Sequence, residues 1–392
     1  MSRFDEFVYA IPKRYSQWGE MYANPRAYFN GADSLWNSRL NMGFSVVTTE
    51  GLAEYPHFHH SIEEYYMFSG ADLTKFFDFD AEVELWMGED PDRMEKITIT
   101  KPTLVRIPPN MWHGPINYRR IGKPVAFSSV YFDGELSKIT RRIEPDGSVS
   151  YPYISSAFKK CVFDKTSRCI DCGRCVDNAG RRQDIAFAYD WAQEIAAGGD
   201  APHSGRYDPY IFTYPQEYHN YGDLYANPRG KFRGQTQMSG ARLYGGFSVI
   251  LKPLEMEAPH FHHANDEYLW FLGSNLLDPF DFDAEIELML GESSDRMERI
   301  VITEPTVVRV PPKMWHCPIR FRTVNKPVAF LPIYYDGDWS KIVAHDDADG
   351  NREYLFEAAS LRRCSYNTQK ICNYCGKCLE DDSVPSYGVF RR

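Results

Sequence analysis

The chain has 392 residues and a formal charge of −10, from 44 Lys plus Arg against 54 Asp plus Glu, with no basic run. Nothing supplies the basic face that phosphate neutralisation needs, so nucleic acid is excluded as an expected partner. The length exceeds one ordinary core, and no apolar stretch reaches the ~18 residues of a membrane span, so two or more globular domains away from membranes are expected.

Residues 1–19 carry acids early and have no unbroken apolar region, so no signal peptide is read and the expected location is cytoplasmic. Residues 22–26, YANPR, predict a turn through Asn-Pro. Short segments at 43–49, 82–87, 97–100, 103–107 and 125–132 are rich in β-branched and aromatic residues. Pro, Gly, Asn and Asp punctuate them, so they predict strands of a sandwich or barrel. Between them, residues 56–60 spell PHFHH, and residues 108–113 spell PPNMWH. Four cysteines follow at 161–175, then an alanine-rich segment at 184–197 that ends on two glycines and predicts a linker helix.

The same landmarks then return at a fixed offset of 203 positions. His57 becomes His260, Trp112 becomes Trp315, His113 becomes His316, and YANPR comes back at 225–229. A constant offset means a tandem duplication of one unit of about 200 residues with no net insertion between these landmarks. Six of the eleven histidines lie in the two PHFHH copies.

Alternation along a strand puts His57 and His59 on one face, ~7 Å apart. A carboxylate from the next strand and His113 from a distant one can close a pocket around one ion. Three imidazoles and one carboxylate suit Fe, Mn, Zn, Ni or Cu and leave positions open for a substrate. Glu63 and Glu64 both stand at a fitting distance; Glu64 is the one whose copy, Glu267, is identical, whereas Glu63 becomes Asp266. The expected ligand sets are His57, His59, Glu64 and His113, and His260, His262, Glu267 and His316, with Glu63 still open. His60 and His263 read as rim residues. Arg106 and Arg309, two residues before the double prolines, could each hold a substrate carboxylate or be outward surface residues. Trp112 and Trp315 read as core packing.

These residues resemble the cupin superfamily. Gly51, His57, His59, Glu63 and Gly70 stand in the register of its first motif, and Pro108, His113 and Asn117 in that of its second. Asn110 occupies the second motif's glycine and tolerates the left-handed backbone such a turn needs; the earlier glycine is replaced by Pro102. The resemblance implies an all-β chain with two jelly-roll-type barrels, and an activity among the dioxygenases, decarboxylases, isomerases and lyases of that family. The second copy departs further, with Leu254 for Gly51, Lys313 for Asn110 and Arg320 for Asn117. The first copy is therefore the better candidate for catalysis. If the copies are barrels, Arg26 and Arg229 have a second reading, in which they reach into a barrel mouth.

Cys161, Cys169, Cys172 and Cys175 recur as Cys364, Cys372, Cys375 and Cys378. Four thiols at this spacing match one metal centre each, either a [4Fe–4S] cluster or zinc. The CxxCxxC core resembles bacterial ferredoxin motifs, although the fourth cysteine lies upstream. The expected layout is cupin domain 1 at 1–145, a cysteine-rich module at 146–183, a linker at 184–204, cupin domain 2 at 205–348 and a second cysteine-rich module at 349–392. The expected function is a metalloenzyme of the oxidoreductase or lyase type, acting on a small oxygenated substrate such as a carboxylic acid or phenol. The rival is a ligand-binding or redox-sensing bicupin. A homo-oligomer and, for iron–sulfur clusters, an electron-transfer partner are compatible with either.

Overall fold

A computed structural model describes residues 3–15, 21–54, 56–133, 137–155, 166–167, 203–219, 221–335, 340–358, 364, 366–367 and 369–370. The linker helix expected at 184–197 and all of the cysteine quartets except Cys364 lie outside the described residues. Cys364 is half-buried, and its amide donates to the Lys370 carbonyl at 2.9 Å.

The described chain is almost entirely strand. The first half runs through Val8–Ala10 (β1), Ala27–Asn30 (β2), Leu40–Val47 (β3), Gly51–Ala53 (β4), His57–Phe58 (β5), Glu64–Gly70 (β6), Ala81–Gly88 (β7) and Glu95–Ile99 (β8). It continues through Thr103–Ile107 (β9), Trp112–Ile121 (β10), Val125–Phe132 (β11), Ser137–Thr140 (β12), Arg142–Ile143 (β13), Val149–Ser150 (β14) and Tyr153–Ser155 (β15). The second half repeats the path as Ile211–Thr213 (β16), Lys231–Arg233 (β17), Leu243–Gly246 (β18), Ser248–Ile250 (β19), Leu254–Met256 (β20), His260–Phe261 (β21) and Asp266–Gly273 (β22). It ends with Ala284–Ser293 (β23), Arg296–Ile302 (β24), Thr306–Val310 (β25), Trp315–Val324 (β26), Val328–Tyr335 (β27), Ser340–Asp346 (β28) and Arg352–Ala358 (β29).

Each copy folds two antiparallel sheets against one another. In the first they are β16-β9-β6-β11-β3-β2 and β15-β12-β5-β10-β7-β8. In the second they are β1-β25-β22-β27-β18-β17 and β29-β28-β21-β26-β23-β24. This is the tandem cupin architecture: two jelly-roll-type barrels. The copies exchange their leading strands. β1 adds to the second barrel, with Val8 opposite Val308, and its counterpart β16 adds to the first, with Ile211 opposite Val105.

Alternation along the strands sorts the apolar residues into three cores. Phe68, Val83, Leu85, Ile116 and Tyr118 fill the first barrel, and Phe271, Ile286, Leu288, Ile319 and Phe321 the second. The third core joins the outer faces of the two copies, with Phe29, Phe44, Met67 and Val130 meeting Phe247, Trp270, Leu272 and Ile333. Phe132 stacks on its own copy Tyr335, ring centroids 3.9 Å apart, and Phe44 meets its copy Phe247 at 6.5 Å. Such self-pairs occur only along a two-fold relation, so the barrels pack about a pseudo-dyad.

Candidate metal centres

Three elements deliver the first cluster. β5 carries His57 at its start and hands on to His59; β10 brings His113 directly opposite His57; β6 begins with Glu64. The turn before β10 needs a left-handed residue, and Asn110 takes it at φ 65°. His57, His59, Glu64 and His113 are all buried, and their ligand atoms lie within 4.8 Å of one another.

The rings are oriented from behind. His59 Nδ1 donates to the Ser137 carbonyl at 2.6 Å, and His113 Nδ1 donates to the Met111 carbonyl at 2.9 Å. A carbonyl only accepts, so in the neutral rings Nε2 carries the lone pair. Both Nε2 atoms face Glu64 Oε2, at 3.0 Å for His59 and 3.2 Å for His113. Burial pushes the His113 pKa below its ordinary value. Acceptors facing acceptors in a buried space call for a cation between them, so the donor set fits a metal ion. Ser129 fixes the other carboxylate oxygen, donating to Glu64 Oε1 at 2.5 Å.

The second cluster repeats this frame. His260, His262 and His316 converge within 4.8 Å, and their Nδ1 atoms donate to the carbonyls of Ala258, Ser340 and Met314. Glu267 Oε2 lies 3.0 Å from His316 Nε2 and 3.2 Å from His262 Nε2. The buried His262 Nε2, His316 Nε2 and Glu267 Oε2 make no hydrogen bond, which again fits an ion. Lys313 takes the left-handed turn here at φ 69°.

Glu63 and Arg106 point elsewhere. Arg106 stands opposite Tyr65 in the β6–β9 register, and alternation turns Tyr65 away from Glu64. Arg106 therefore faces the other copy, donating to Glu63 at 2.7 Å and to the Ser239 carbonyl at 3.1 Å. Arg309 does the same with Asp266, at 2.9 Å, and the Trp36 carbonyl, at 3.1 Å. Of the two readings open for these arginines, substrate contact or an outward position, the structure shows the outward one, with each held in an ion pair at the pseudo-dyad interface. His60 and His263 are exposed, and Trp112 and Trp315 are buried against Phe58 and Phe261.

Sequence reasoning missed the inner wall of the first barrel. Tyr66, two residues beyond Glu64, meets His113 edge-on at 5.6 Å. Tyr118 and Tyr22 lie beyond it, and burial raises the pKa of all three hydroxyls. Counting by two from Glu64 would have found Tyr66. In the second barrel the matching residues are Leu269, Phe321 and Tyr225, so two of three hydroxyls are gone.

No family model and no curated protein matches the chain. Among solved structures, it is similar to an oxalate decarboxylase mutant from Bacillus subtilis, at 10% identity over 86% of this chain and 79% of that one, with a TM-score of 0.48. A structure of that enzyme from work on its Mn(II) centres matches at 11% identity over the same shares, with a TM-score of 0.49. Its structure at pH 4.6 matches at 11% identity over 86% of this chain and 78% of that one, with a TM-score of 0.49. No helix among the described residues is long and apolar enough to cross a membrane.

Proposed function

We propose that this bicupin is a metal-dependent enzyme acting on a small oxygenated organic substrate, a carboxylic acid or a phenol, with its working centre in the first barrel. The observation that carries this is the buried convergence of His57, His59, Glu64 and His113, with imidazole lone pairs turned on a carboxylate. These four would hold the ion, and His260, His262, Glu267 and His316 would hold a second one. A bound transition ion would supply Lewis acidity or a redox change to a substrate oxygen.

The protein's own residues do the rest. Ser129 and the backbone carbonyls behind the rings hold the ligands in place. Tyr66, Tyr118 and Tyr22 keep their protons at neutral pH because burial disfavours the phenolate. They line the first barrel as hydrogen-bond donors to substrate oxygens. Leu269 and Phe321 offer no donor, which supports a holding rather than a working role for the second centre.

The test is turnover of a panel of small carboxylic acids and phenols by metal-loaded protein. The reading expects turnover that His113→Ala abolishes, that Tyr66→Phe lowers, and that survives His316→Ala. Turnover lost only with His316→Ala would reverse the order of the two centres. Tight, ion-independent ligand binding without turnover would favour the sensing protein.

A further inference from the structure

We propose that Arg14 and Arg26 form a carboxylate-binding subsite on the inward face of the first barrel. This rests on the metalloenzyme reading for what the carboxylate belongs to, but not for the site itself. The strand register places the residues. Tyr28, Gly43, Ser129 and Tyr66 stand side by side across β2, β3, β11 and β6. They share one face, the face that carries Glu64 two residues from Tyr66. Arg26, two residues before Tyr28, belongs to it as well, with its guanidinium 5.6 Å from the Tyr28 ring centre. The Tyr28 ring packs on Gly43, where an added Cβ would come within 2.2 Å of a ring carbon. Arg14 is bridged to Arg26 through both backbone amides, at 3.2 and 2.8 Å.

Two arginines directly opposite one another repel, and like charges at such a position cost stability. Among the described residues no acid offsets them. Among the described residues neither arginine makes an ion pair; both Nε atoms are buried without a hydrogen bond, as are those of Arg229 and Arg233 in the second barrel. Glu54, the acid that acts on the neighbouring Tyr22, is held by Lys138.

The duplication supplies an internal control. In the second barrel Glu217 replaces Arg14 and Arg233 replaces Asn30. Arg233 grips both oxygens of Glu217, while Arg229, the copy of Arg26, contacts His219 and lies 3.2 Å from Ser248 Oγ. Arg229, Arg233, Ser248 and Phe330 are all buried there. Their first-barrel counterparts Arg26, Asn30, Ser45 and Phe127 are all half-buried. One copy has filled the position with its own carboxylate; among the described residues the other shows two cations, no acid and less cover. A substrate carboxylate on Arg14 and Arg26 would place its remaining atoms over Tyr28 and Ser129, toward Tyr66 and the histidines.

The test is calorimetric titration of the full chain with malonate and benzoate, using malonamide and benzamide as uncharged matches. At least one acid is expected to bind at one site per chain while its amide does not. Arg14→Gln and Arg26→Gln should each weaken that binding at least about tenfold, with Arg26→Lys intermediate because a point charge loses the forked contact. Lys231→Gln, in the second barrel, should leave it unchanged. Arg14→Glu copies the second barrel's residue; it should abolish binding and raise Tm, which also shows that the variant folds. No acid binding, or equal binding after the Arg14 and Arg26 substitutions, overturns the subsite. Arginine-dependent binding without turnover keeps the subsite and removes the enzyme reading. Turnover whose KM ignores Arg26→Gln does the reverse.

Discussion

At the residue scale, one step along the chain separates two different jobs. Glu64 turns inward to His59 and His113, while Glu63 turns outward to Arg106. Glu64→Gln is therefore expected to lower metal content with little change in the interface, because an amide is a poorer partner for an ion between imidazoles. Glu63→Gln should leave metal content intact and cost about 2 kcal/mol, since a charged hydrogen bond to Arg106 is weakened. Metal analysis beside chemical denaturation separates the two; metal loss from Glu63→Gln would contradict the assignment. The adjacent acids could not be told apart from spacing alone, because both fit a loop of three or four residues after His59. Only the strand that starts at Glu64 settles which one points inward. The tie between Ser204 and Glu95 gives a pH signature. Hydrogen bonds from the Ser204 hydroxyl and amide lower the Glu95 pKa. Its contribution is present above the ordinary value of 4.5 and is lost as pH falls through the lower folded value. Wild type should thus lose stability over that acid range more steeply than Glu95→Gln, as measured by Tm against pH.

At the element scale, the short apolar segments were readable as strands, and 103–107 and 125–132 coincide with β9 and β11. Their pairing was not readable. β1 joins β25 across almost 300 residues, and no local pattern marks such an exchange. The same gap left the side of Arg106 open, since it depends on standing opposite Tyr65. It also hid Arg14, because the offset comparison flags identities, and this position reads Glu217 in the other copy. The exchange makes a directional prediction. Deleting residues 1–10 removes β1 from the second barrel's sheet and none of the first barrel's strands. Hydrogen exchange should accelerate at residues 306–308 and remain unchanged at 103–105, which β16 covers. Equal acceleration at both would contradict the exchanged arrangement.

At the scale of the whole molecule, the fixed offset made the duplication legible, and the fold turns it into a pseudo-dyad. Tyr65 accepts from the Arg242 and Leu243 amides at 2.8 and 3.3 Å. Its copy Tyr268 accepts from the Arg39 amide at 2.9 Å and from the Ser38 hydroxyl at 3.1 Å. Tyr65→Phe and Tyr268→Phe each leave an amide near the shared core without its acceptor, so each should cost about 1–3 kcal/mol. Similar costs are expected from the two sides, by denaturant titration. The dyad relates the frames of the barrels but not their contents: the first has Tyr66, Tyr118, Arg14 and Arg26, and the second has Leu269, Phe321, Glu217 and Arg229 in the same places, with Glu217 gripped by Arg233. The duplication thus left two similar histidine–carboxylate frames inside differently lined barrels. The central claim is that the buried histidine–carboxylate clusters hold transition ions. The most direct measurement is the metal content of natively expressed protein against His113→Ala and His316→Ala. The account predicts that each variant loses one ion per chain, whatever the cysteine groups carry; unchanged metal content in both would contradict it.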